Sequence, residues 1–223
     1  MGASKTINAI KAQSQITFYM WGALAASGLI ATCFGDYSSG FMALTVLIAS
    51  FLPIFFERWS GIIVPKYFGA GVVFFIIATL FLGEVFDFYN RFWWWDAVLH
   101  TGSAVGFGLI GFAIVFALIG GDRNSHSAWV VALLAFSFAV MIGAVWEIFE
   151  FAMDQIFGLN MQKSGIIDTM WDLIVDTIGA FVAAISGWNF MRGKKGLGLF
   201  TPVIHKFVLS NLNKFKKFGS KDR

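Results

Sequence analysis

The sequence predicts an all-α protein, a polytopic bundle of about six membrane-spanning helices. Three observations predict it. The 223 residues are 58% hydrophobic and only 13% charged, against about 25% charge in an ordinary soluble domain. Six apolar runs, at about 17–35, 39–56, 62–83, 97–120, 127–152 and 168–191, each approach or exceed the roughly 20 residues that cross about 30 Å of hydrocarbon. The runs are continuous rather than alternating, which selects helices over a barrel.

Together the runs fill most of the chain. Residues 1–192 therefore read as a single transmembrane domain, with an acidic core at 84–185, and 193–223 as a basic tail. The first run starts near Thr17 and Phe18 without a small-residue cleavage site, so it reads as a retained helix rather than a signal peptide. Cys33 is the sole cysteine, which excludes an intramolecular disulfide and a multi-thiolate metal site. A nucleophile elbow, a Walker loop and a Rossmann glycine pattern are all missing, so nucleotide chemistry has no support.

Lys and Arg set the expected orientation. When the loops alternate sides, one side receives Lys5, Lys11, Arg58, Lys66, Arg123 and the nine basic residues of the tail. The other receives only Arg91 and Lys163. The positive-inside rule then places both termini in the cytoplasm.

Nine of the thirteen acidic residues fall in three clusters fused to apolar runs: Glu84, Asp87 and Asp96; Glu147, Glu150 and Asp154; Asp168, Asp172 and Asp176. With the orientation above, all three belong to the extracytoplasmic ends of helices three to six. Ionisable groups in spanning helices are costly, and usually line a cavity, bind an ion or relay protons. A rise of about 1.5 Å per residue puts His100 roughly 6 Å deeper than Asp96, and Asp176 roughly 12 Å deeper than Asp168. The acids thus descend into the membrane.

Asp168, Asp172 and Asp176 repeat every four residues and share one helix face. Like charges at this spacing repel, so the column needs protons, cations or facing basic groups. Glu147, Glu150 and Asp154 also share a face, among Val145, Trp146, Ile148, Phe149 and Phe151. Asp96 and His100 are one turn apart; the imidazole reads equally as a core hydrogen-bonder and as a ligand or proton shuttle. Glu84 and Asp87, beside Arg91 and the Trp93–Trp95 run, read equally as interfacial groups. Many carboxylates with one His favour a hard divalent cation, Mg²⁺, Mn²⁺ or Ca²⁺, over Zn²⁺ or iron. A di-iron bundle would show two Glu-x-x-His motifs, and this chain has none. Gly102, Gly106, Gly108 and Gly111, with Gly143 and Gly179 near the acids, suit close packing of helices four to six.

Beyond Met191 the chain turns basic. A Thr201-Pro202 start precedes Val203, Ile204, Phe207, Val208, Leu212, Phe215 and Phe218 at helical spacing, with Lys206, Lys214 and Lys217 largely elsewhere on the wheel. This predicts an amphipathic helix on anionic lipid headgroups rather than on nucleic acid.

The motifs Trp95-Asp96-x-x-x-His100-x-Gly102, Trp146-Glu147-Ile148-x-Glu150 and Asp168-x-x-x-Asp172-x-x-x-Asp176-Thr177-x-Gly179-Ala180 resemble those of the YjdF-like bacterial inner-membrane proteins. The resemblance spans roughly residues 84–185. It implies a multi-pass inner-membrane protein and supplies no catalytic assignment. More distantly, the acidic helix with its Gly-Ala pair looks like VanZ-type membrane proteins.

The expectation is an inner-membrane enzyme, a hydrolase or transferase, acting on a lipid-linked or phosphate-bearing amphiphile. Glu147, Glu150, Asp172 and Asp176 are the expected ligands of a divalent metal. His100 is a further ligand or the general acid/base, oriented by Asp96. Glu84, Asp87, Arg91, Asp154 and Asp168 are expected around them or at the substrate. A cation- or proton-coupled transporter, and a scaffold or sensor with protonated acids, are the alternatives. A reporter fused to the C-terminus should be active or protected only on the cytoplasmic side; cleavage by protease added outside intact cells would reverse the topology.

Overall fold

The computed structural model describes residues 9–194 and 197–221, and side chains as far as Lys217. Lys5, Lys195, Arg223 and the Phe218 side chain of the expected tail stripe lie outside it. Every regular element among the described residues is helical. Six helical segments are long and apolar enough to cross a membrane: Gln15–Cys33, Tyr37–Ser60, Lys66–Val85, Trp95–Leu118, Ala128–Phe157 and Ile166–Met191. These are the six expected spans, with the fifth prolonged to Phe157. Contacts divide the chain into two compact units, one up to Trp95 and one from Asp96 onward.

In the first unit, α1 (Gln15–Cys33) starts where the Ser14 side chain accepts the Thr17 N–H at 3.2 Å. Asp36 caps α2 (Tyr37–Ala49) in the same way, accepting from Ser39 at 3.1 Å. The Ser39 hydroxyl, and then its backbone N–H, hold the Asp36 carboxyl below its ordinary range. The second span breaks after Ala49 and resumes as α3 (Leu52–Ser60). Pro53 is the cause, since it has no N–H to continue the ladder. The third span is α4 (Lys66–Ile76) running into a π-helical segment, Ile77–Val85, closed by Phe86 N–H to Phe81 O at 3.2 Å. A single turn, α5 (Phe88–Arg91), follows. Leu24, Ala43, Val46 and Phe81 form one core cluster, and Trp21, Ile54 and Val73 another.

The second unit holds α6 (Trp95–Leu118), α7 (Ala128–Phe157), α8 (Ile166–Met191) and α9 (Thr201–Lys221). Its organiser is the buried face of α8. That face carries Asp172 and Asp176 first, then Gly179, Ala180, Ala183 and Ala184, then Ser186, Gly187 and Phe190. It is acidic at one end, small in the middle and aromatic at the other. The small middle lets helices approach closely. A Cβ on Gly179 would overlap the Thr101 carbonyl of α6, and one on Gly108 would come within 2.5 Å of the Ala183 Cβ.

At the aromatic end, Phe190 meets Phe112 and Phe116 edge-on at 5.6 and 5.5 Å, with the Arg123 guanidinium 4.2 Å from its ring centre. The tail helix α9 completes this cluster. Ile204, Val208 and Phe215 are buried, and Phe215 meets Phe116 edge-on at 6.0 Å. The Thr201 hydroxyl donates to Ser186 O at 3.1 Å and to Leu197 O at 2.6 Å. The amphipathic helix expected in the tail is therefore present, but its apolar face is covered by the protein itself. Lys206, Lys216 and Lys217 stay exposed on the rest of it. Phe215→Ala should lower stability by about 3–5 kcal/mol and open the Leu197–Thr201 connection to protease; an unchanged thermal midpoint would mean that α9 is not docked in this way.

Candidate functional site

Helix polarity brings the second-unit acids to one end. The first turns of α6 and α8 and the last turns of α7 lie on the same side of this unit, because α7 and α8 are joined by residues 158–165 alone. His100, one turn into α6, is the centre. Its Nδ1 lies 3.5 Å from Asp176 Oδ2 of α8 and 3.9 Å from Glu147 Oε1 of α7. Its Nε2 lies 3.9 Å from Asp96 Oδ1. Asp96, His100 and Asp172 each offer one ligand atom within 4.8 Å of the others.

The deeper carboxylates of the cluster are buried, while the Asp96 side chain is 30% exposed. Glu147, Asp172 and Asp176 are 4%, 4% and 2% exposed. Both carboxylate oxygens of Glu147, Oδ2 of Asp172 and Oδ1 of Asp176 are buried without a hydrogen-bond partner. An isolated buried charge costs several kcal/mol even after relaxation, and buried polar groups are almost always satisfied. Here several carboxyl groups share one imidazole across gaps of 3.5–3.9 Å, too long for good direct hydrogen bonds.

Donor chemistry and spacing both fit a hard cation. Ca²⁺ takes oxygen ligands at about 2.3–2.6 Å, so ligands on opposite sides of one ion stand roughly twice that apart. Atoms within 4.8 Å of one another fall in that range. Mg²⁺ or Mn²⁺, with shorter bonds, would draw the same side chains inward.

The other expected site residues have other partners. Glu150 is buried, but its Oε1 accepts the Trp146 indole N–H at 2.9 Å. Asp154 accepts the N–H groups of Met161 and Gln162 at 2.7 and 2.9 Å. Asp168 accepts the N–H of Lys163 at 3.1 Å. These two acids thus shape the α7–α8 loop. Glu84, Asp87 and Arg91 belong to the first unit and are exposed. Asp87 sits at φ 59° and accepts from the Asn90 side-chain amide at 2.6 Å.

Gly143, expected near the acids for close packing, meets Asp176 in particular. A Cβ there would overlap the Asp176 carboxylate, so the missing side chain is what lets that acid press against α7. The signal was the coincidence of a glycine on α7 with an acid column on α8, one turn above Glu147. The hydrogen bond from Gln162 Nε2 to Thr169 Oγ1, at 2.5 Å beside the site, was not expected.

Fold and site together define a multi-pass helical membrane protein with an acidic cluster inside its second half. The chain belongs to the family of predicted membrane proteins designated DUF2238, which matches residues 15–193. The match includes the first two spans, which the acidic motifs alone do not reach. The chain is also 34% identical over 104 residues to a Thermotoga maritima protein described as "Uncharacterized protein", covering 46% of this chain and 52% of that relative. It thus spans about half the length of this curated relative. No solved structure matches the chain.

Gly143→Ala should destabilise the protein by about 1–3 kcal/mol through overpacking. Gly102→Ala, whose Cβ would meet nothing within 4 Å, should be neutral or stabilising by up to about 1 kcal/mol. Thermal unfolding in detergent reads both. In an Asp176→Ala background the Gly143→Ala penalty should vanish; a penalty that persists would place the clash elsewhere.

Proposed function

We propose that the protein is a metal-dependent membrane enzyme, with a divalent cation held among Asp96, His100, Glu147, Asp172 and Asp176. The observation that carries this reading is the set of buried carboxylate oxygens without partners around one imidazole. Mg²⁺, Mn²⁺ and Ca²⁺ suit these donors better than Zn²⁺ or iron. The motif set behind the YjdF-like resemblance is the same set that builds this site, and an inner membrane with the site on its extracytoplasmic side is part of the proposal.

An ion in this place would supply Lewis acidity toward a phosphoryl oxygen, or a water of lowered pKa. The chain's own residues do the rest. Asp96 faces Nε2 of His100, while Asp176 and Glu147 face Nδ1, so the ring is held from both sides and can take or give a proton at one nitrogen. Glu150, an expected ligand, accepts the Trp146 indole N–H with one oxygen. The substrate class that suits a site at the end of a lipid-embedded bundle is an amphiphile bearing phosphate.

Transport is the competing reading, and the buried face of α8 weighs against it. Past Asp176 that face offers Gly179, Ala180, Ala183 and Ala184, with no ionisable step toward the other end.

Elemental analysis of the protein, purified without chelators, should find close to one divalent ion per chain. Outer-shell changes alone cost about 10–100-fold in metal affinity, so Glu147→Gln and Asp172→Asn should each cost at least about 100-fold while the protein stays folded. Metal content unaffected by both, or a metal-free wild type, would overturn the proposal.

A further inference from the structure

The residues joining α7 to α8 lie at the acidic end of the second unit and are fixed with unusual care. Two carboxylates that sequence alone would assign to the site are committed to this segment. Asp154 holds two successive backbone N–H groups, those of Met161 and Gln162, and Asp168 holds that of Lys163. The Gln162 side chain reaches on to Thr169 of α8. A loop so fastened presents Lys163, which is exposed, in a set place.

Lys163 is also singular in charge. The other described Lys and Arg residues of this unit are Arg123 in the α6–α7 loop and those that follow α8, which belong to the opposite helix ends. Lys163 is near enough to Asp96 for the two charges to interact. An ammonium group is a compact point charge, well suited to phosphate. Apart from Lys163 and His100, the ionisable side chains at this end of the unit are carboxylates.

Beside the acid column runs an apolar stripe. Ile167, Trp171 and Ile174 of α8 are 61%, 62% and 44% exposed. At about 100° per residue, Ile167 and Trp171 sit about a quarter turn from Asp168 and Asp172, and Ile174 lies farther round the helix. A headgroup at the cluster therefore has a place for an attached chain on the same helix.

We infer that Lys163 is the group that recognises the phosphate of an anionic, lipid-like substrate, whose chain lies along Ile167, Trp171 and Ile174. This rests on the proposed reading of the cluster as a site for a phosphate-bearing amphiphile. The independent observation beneath it is Glu147, 4% exposed, with both oxygens unpartnered within the same cluster.

The test uses the full chain in a neutral detergent with Mn²⁺ present. Calorimetry would follow binding of dihexanoyl phosphatidic acid, of dihexanoylglycerol and of inorganic phosphate, with Mn²⁺ counted in parallel by electron paramagnetic resonance. Wild type should bind phosphatidic acid at least tenfold more tightly than either of the other two. A hydrogen bond to a charged group contributes about 1.5–3 kcal/mol, so Lys163→Gln should lose about tenfold or more in that affinity. Lys163→Arg should keep most of it, and Mn²⁺ occupancy should be the same in all three proteins. Unchanged phosphatidic acid affinity in Lys163→Gln would overturn the inference. So would inorganic phosphate binding as tightly as the lipid, or dihexanoylglycerol doing so. Loss of Mn²⁺ together with the lipid in Lys163→Gln would also overturn it, making the lysine a structural part of the loop. If wild type bound no Mn²⁺ yet kept a Lys163-dependent preference for phosphatidic acid, the metal proposal would fall and this inference would stand.

Discussion

The second half of this protein depends on one constraint: several carboxyl groups, most of them buried, share a single imidazole. Buried charges are tolerated when they are paired or coordinated. Around His100 the neighbours are acidic on every side that the structure describes, from α6, α7 and α8 alike. Such a cluster stays together only if something positive joins it, a metal ion or protons. His100 stands 3.5–3.9 Å from the Asp96, Glu147 and Asp176 carboxylates.

That constraint organises the helices. To bring acids from three helices to one imidazole, the backbones must come close. They do so through glycine: Gly143 receives the Asp176 carboxylate, and Gly179 receives the carbonyl of Thr101, the residue after His100. Farther along, alanines keep the approach, until Phe112, Phe116, Phe190 and Phe215 fill the wider end. The tail helix belongs to this arrangement as the last wall of the aromatic cluster.

Much of this was legible in the sequence, for identifiable reasons. Hydrophobic runs longer than the bilayer core leave few alternatives to spanning helices, so the six spans came out nearly in register. Four-residue spacing put Asp172 and Asp176 on one face whatever the tertiary structure. The use of each acid was less legible. Asp154 and Asp168 have the same spacing and company as Glu147 and Asp172, but they stand at helix ends. There, free backbone N–H groups of the following or preceding loop compete for a carboxylate. Glu150 shares a face with Glu147, yet Trp146, four residues before it, supplies an indole donor within reach. Which partner wins is a matter of distances that a linear pattern does not contain. The tail illustrates the same limit: its amphipathic period is readable, but lipid and protein both satisfy an apolar stripe. Phe116, far away in sequence, meets Phe215 of that stripe, and Phe190 meets His205 of the same helix.

The close packing that assembles the cluster also bears on what it can do. A conduit needs a sequence of polar stations through the bilayer, or a path wide enough for water. Past Asp176, the face of α8 that carries the acids meets α6 so tightly that no Cβ fits at Gly179 and almost none at Gly108. Ser186 and Asn189, the next polar residues on that face, come only after Ala180, Ala183 and Ala184. Ser186 is occupied with the Val182 carbonyl and with the Phe200 and Thr201 backbone and side chain. A packed stripe of this kind separates the acidic end from the aromatic end. The acids are therefore gathered at a single end of α6, α7 and α8, where His100 joins them.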